Sequence, residues 1–108
     1  MSDLPAWKAP HDEAMACADA AVRSMQEVKI WYRAAYASEI KAARACIDNA
    51  AWRAILFRSA GWLAMKGGIP REALAAALAG LEVGHDRPRL EELKAAAQAE
   101  IAKREREG

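Results

Sequence analysis

Residues 49–66, NAAWRAILFRSAGWLAMK, decide how the rest of the chain is read. Arg53, Arg58, Ser59 and Lys66, with Asn49 at the start, are the clearly polar positions, and they do not align into a broad solvent face. Trp52, Ile55, Leu56, Phe57, Trp62, Leu63 and Met65 point in the remaining directions. A helix that is apolar nearly all round is one that other elements surround. At 1.5 Å per residue it would be about 27 Å long, too short and too interrupted by Arg to cross a bilayer. The stretch is therefore expected to be the buried central helix of a small all-α domain.

Its flanks carry helix punctuation. Gly67–Gly68 supplies a left-handed C-cap, and Pro70 opens a short helix, PREALAAALAGL, over residues 70–81. Leu74, Ala77, Leu78 and Leu81 are its expected buried stripe, leaving Ala75, Ala76 and Ala79 outward. After a Gly84–Arg87 loop, Pro88 opens a last helix with Leu90, Leu93, Ala97 and Ile101 on one face.

Upstream, no Gly or Pro occurs from His11 to Ala60. Met15, Ala18, Val22, Met25, Tyr32, Tyr36, Ile40, Ala43 and Ile47 recur at helical spacing, and the phase breaks at Asp48–Asn49, both good N-caps. The expectation is one long first helix from Pro10 to about Ile47, with a bend near Ser38 as the alternative. Unbent, it would span roughly 55 Å, well beyond a domain whose radius of gyration should be about 13 Å. A second copy covering the excess would resolve this, so a homodimer is expected. Together these give a four-helix domain over 10–108, assembled as a dimeric bundle. An irregular lead-in over 1–9 precedes it, with Trp7 docked on the domain's own core.

With 108 residues the chain is one domain, and 54% hydrophobic residues exclude a wholly disordered one. Much of that fraction is Ala, so the few large side chains, the four Trp above all, carry the core. Cys17 and Cys46 lack CxxC spacing and nearby histidines, which points to small buried hydrophobes in a reducing compartment. Without a leader pattern or an apolar run of membrane length, the expected location is the cytoplasm.

The chemistry-bearing residues form no known constellation. His11 and His85 lack metal-ligand spacing. Ser2, Ser24, Ser38 and Ser59 lack a nucleophile signature, and no acid lies within an apolar stripe where burial would perturb it. The glycines lack the strand and the Lys-Ser/Thr of a phosphate loop. No enzyme activity, cofactor or metal is expected.

What stands out is charge. The net charge is +1, yet residues 20–71 are distinctly basic: Arg23, Lys29, Arg33, Lys41, Arg44, Arg53, Arg58, Lys66 and Arg71 face only Glu27, Glu39 and Asp48. Such asymmetry marks an acidic partner or a nucleic acid. In this segment Val28, Trp31, Tyr32, Ala35 and Tyr36 form a wide aromatic strip beside the bases Arg33, Lys41 and Arg44. Aromatics with Arg are the residue types that anchor interfaces. The expected function is a non-enzymatic protein-interaction module (an adaptor, inhibitor or accessory factor, of the kind phages and plasmids encode) meeting its partner through Val28, Trp31, Tyr32, Arg33, Tyr36, Lys41 and Arg44.

The alternative is DNA binding. Leu63–Ala64, Gly68, Arg71–Glu72–Ala73–Leu74 and Ala77–Leu78 resemble a helix-turn-helix. The downstream Pro88–Leu93 is similar to the helix after the recognition helix in some small bacterial regulators and antitoxins. That resemblance implies a regulator contacting DNA through Arg71 and Glu72. Against it, Ala75, Ala76 and Ala79 offer nothing to base edges.

Overall fold

A computed structural model describes residues 5–23 and 28–108. They form five helices and, among the described residues, no strand: α1 Lys8–Arg23, α2 Val28–Ala45, α3 Ala50–Lys66, α4 Pro70–Val83 and α5 Arg87–Glu107. The termini of α3 follow from local chemistry. Asn49 accepts the Trp52 amide through its side chain at 3.0 Å, satisfying a donor the first turn leaves free. At the other end Gly68, at φ 73°, takes the left-handed position a side chain would resist. The Gly68 amide then returns to the Met65 carbonyl and the Ile69 amide to that of Ala64, the paired bonds of a Schellman close.

The expected long first helix is two helices. Propensity sees no reason to stop, since neither Gly nor Pro intervenes. Tertiary burial does: α1 packs along α2, which covers an apolar face that one 55 Å rod would leave in water. Met25 and Glu27, part of the expected rod, lie outside the described residues, as do residues 1–4. No bend occurs at Ser38, which is buried within α2. α1 begins at Lys8, so Pro10 falls in the first turn, where its missing amide donor is not needed. Trp7 does dock on the domain's own core, stacked on Trp52 with ring centroids 5.3 Å apart.

Neighbours in sequence are neighbours in space. Each helix packs on the next, and α3 also touches α5 over a short stretch. The result is a slab of 52 × 34 × 16 Å rather than a closed bundle. α3 is central, with α2 on one side and α4 on the other, but it is not enclosed: Trp52 and Trp62 remain 42% and 37% exposed. Leu56, Phe57, Ala60, Leu63 and Ala64 supply its buried face.

α4 also departs from its expected stripe. Its buried face is Ala73, Ala76, Ala77 and Gly80, while Leu78 is exposed and Leu74 and Leu81 are half-buried. The reason is close approach. A Cβ on Gly80 would lie 2.7 Å from Leu90 Cδ2 and 3.2 Å from Phe57 Cβ, and one on Gly61 would collide with Leu93. Leucine on that face would not fit. Both leucines of α5 are fully buried and have nowhere to retreat. Gly61→Ala should therefore lower the urea midpoint, by the equivalent of about 1 kcal/mol, because overpacking outweighs the gain in helix propensity. An unchanged or higher midpoint would show that Leu93 can move aside.

Candidate interaction groove

Three helices enclose the feature most suited to recognition. Tyr36, Ile40 and Arg44 follow one another at i, i+4, i+8 on α2. Arg53 and Phe57 lie one turn apart on α3, and Ala75, Ala76 and Ala79 form the wall on α4. Between them is a groove of about 210 Å³. It continues past Arg53 and Ala79 into a second depression of about 340 Å³ lined by Ile47, Ala50, Glu82 and Val83. The floor is apolar and the rim carries two guanidiniums.

Neither Arg44 nor Arg53 is ion-paired to any described residue. The Arg53 guanidinium carbon lies 5.8 Å from the centre of the Phe57 ring, a cation–π contact. Its Nε is shielded from solvent and has no acceptor among the described residues. A buried donor without an acceptor is unfavourable, and its shielding leaves the outer edge of the guanidinium as the part a ligand could meet. Burial pushes the Tyr36 phenol above its ordinary pKa and the charge of Glu72 adds to this, while Arg44 pulls the other way. At neutral pH the phenol therefore keeps its proton as a donor.

Of the residues singled out in the sequence, Tyr36 and Arg44 reach this groove. Val28, Tyr32 and Ala35 fall within about 40° of Glu39 around α2, at 100° per residue. Glu39 is the residue through which α2 meets both α1 and α3. Val28, Trp31 and Tyr32 are half-buried and Ala35 fully buried, so much of the wide strip is packing surface. Tyr32 lies beneath Lys66, whose ammonium is 5.5 Å from the ring centre. Arg33 donates through Nε to the Gly67 carbonyl at 2.7 Å, helping to close the end of α3. Lys41 is exposed on the outer side of α2.

Arg71 and Glu72 line a different depression, of about 330 Å³, between the start of α4 and the end of α5. Its cations are already engaged. Arg71 pairs with Glu105 at 3.0 Å, and Arg104 bonds Glu100 at 3.1 Å and the Gly68 carbonyl at 2.8 Å. That contrast separates the two sites: the α4–α5 depression has ion-paired cations, and the groove has two with no ion pair among the described residues.

Arg53 was not singled out because the sequence placed it on a helix expected to be enclosed. A second residue missed is Glu39, and here the expectation about acids is overturned. Its side chain is 0% exposed, accepting from Ser59 Oγ at 2.6 Å and facing His11 Nδ1 at 2.7 Å. Glu39 lies in the apolar face of α2, and the bonds that make this tolerable come from two other helices. The carboxylate, not the imidazole, accepts the serine hydroxyl. This differs from the serine–imidazole–carboxylate order that generates a nucleophile, and the trio acts as a clamp on α1, α2 and α3. Glu39→Ala would leave both partners without it and should cost about 3 kcal/mol in urea unfolding. Ser59→Ala should cost nearer 1 kcal/mol. Equal small losses would mean that the carboxylate is not the tie.

Among the described residues no group of three or more His, Cys, Asp or Glu could hold a metal, and no helix is long and apolar enough to cross a membrane. Cys46 is buried and Cys17 half-buried, both as free thiols. No protein-family model, curated protein or solved structure matches the chain.

Proposed function

We propose that the protein is a non-enzymatic interaction module, an adaptor, inhibitor or accessory factor, that docks a partner protein in the groove between α2, α3 and α4. The observation that carries this reading is the pair Arg44 and Arg53, without an ion-pair partner among the described residues, at the rim of an open channel between three helices. Isolated surface bases are ordinary. Two without counter-ions among the described residues, beside alanines and a Tyr donor, have the composition of an interface anchor. Tyr36 and Arg44, from the aromatic and basic surface read in the sequence, line this groove together with Arg53 of the central helix.

The homodimer expected from an overlong first helix loses that support, because the helix is divided and the wide face of α2 turns toward α1 and α3. Helix-turn-helix DNA recognition draws less support than docking. The outward positions of α4 after Arg71 and Glu72 are Ala75 and Leu78, and Arg71 is paired with Glu105. Base edges need donors and acceptors, which Ala75 and Leu78 do not supply.

The test uses immobilised wild-type protein with Arg44→Glu, Ala75→Trp and Arg89→Glu variants, exposed to extract from the source cells and read by quantitative mass spectrometry. Arg44 and Ala75 are exposed lining residues, and Arg89 is an exposed base on α5. Proteins held by wild type and Arg89→Glu should be lost from the other two. Identical retention by all four would overturn the reading.

A further inference from the structure

The groove also specifies what kind of segment fits it, an inference that rests on the docking reading above. We propose that its occupant is an acidic amphipathic helix of the partner, with carboxylates on Arg44 and Arg53 and an apolar or small-residue face against the alanines of α4.

Charge selects the sign of the ligand. Arg44 and Arg53 are the groove's cations, and neither guanidinium is paired with an acid among the described residues. A carboxylate there would form charge-assisted bonds, which in a partly desolvated site are about twice as strong as neutral ones. The apolar floor selects against a free inorganic anion. Ile40, Phe57 and Ala76 are already buried in that floor, and Ala75 and Ala79 beside the arginines give an inorganic anion nothing more to bind, whereas the apolar side of a helix can pack on them.

Dimensions select a helix. From Tyr36 to Arg44 the α2 wall rises about 12 Å, and from Ala75 to Val83 the α4 wall rises about 12 Å, a little over two helical turns. The two depressions, about 210 and 340 Å³, take the anchoring side chains of one helix face rather than a whole helix. Ala75, Ala76 and Ala79 put no bulk between backbones, so a helix can lie close against α4.

The acids nearby give the site a direction. Glu82 lines the far depression beyond Arg53, Asp48 lies in the adjoining α2–α3 loop, and Glu72 acts on Tyr36 at the opposite end. The ligand's carboxylates therefore belong at the middle of the groove, with neutral or basic residues toward Glu82. A segment acidic throughout would be repelled at both ends.

A synthetic helical peptide of about three turns tests this. It is built from Leu and Ala with Glu at its centre and a fluorophore at one end. Its counterpart carries Lys at the Glu positions. Titrations follow fluorescence anisotropy at low and high salt, and backbone NMR reports where the full-length protein responds. The acidic probe should bind and move the amide resonances of Arg53, Ala75, Ala76 and Ala79, and should weaken with salt. Arg44→Gln and, separately, Arg53→Gln should each lower affinity roughly tenfold, the size of one charge-assisted bond. Arg44 is exposed, and unchanged circular dichroism melts would confirm that its variant folds. No binding by the acidic probe, equal binding by the Lys probe, or resonance shifts centred on Trp52 and Trp62 would each overturn the proposal. Groove-dependent capture from extract combined with a silent acidic probe would reject this occupant alone. Failure of both experiments would reject the site as well.

Discussion

Glu39 is the constraint on which the arrangement depends. A carboxylate wholly removed from water is tolerable only where other groups replace its hydration, and here they come from α1 through His11 and from α3 through Ser59. The geometry is demanding. α2 must present Glu39 at the line where both neighbours meet, which fixes its rotation. That rotation in turn places Tyr36, Ile40 and Arg44 on the side facing α4. The buried acid and the open groove are two consequences of one helix orientation.

The opposite wall follows a different rule. α3, α4 and α5 approach so closely that a Cβ at Gly61 or Gly80 would press on Leu93 or Leu90, and alanine suffices over most of the α4 face. The large side chains come from its two neighbours, Leu90 and Leu93 of α5 and Leu56 and Phe57 of α3. A wall of small residues leaves little area of its own to bury, so the groove stays shallow and its binding character depends on the arginines at its rim.

The helical class, the limits of α3 and the starts of α4 and α5 could be read from Asn49, Gly67–Gly68, Pro70 and Pro88, because caps and breakers act locally. The division between α1 and α2 could not. It is enforced by burial between segments, with no Gly or Pro to announce it. The rotation of α4 escaped for a related reason, since leucines outrank alanines in any periodicity count unless the neighbouring backbone is known to be near. Of the site, Tyr36 and Arg44 were legible as aromatic and base on one helix. Arg53 and Glu39 were not. Their roles depend on which helix covers which, information carried by distant residues such as His11 and Ala79.

The order in which the helices lie against one another has a kinetic corollary. Because each element packs mainly on its immediate successor, most native contacts join residues close in sequence, and chains with such local topology have little loop entropy to overcome before contacts form. Assembly can then proceed outward from α3 along the slab in both directions. α1, an end element packed mainly on α2, would be the layer whose docking closes last, at the moment His11 reaches Glu39.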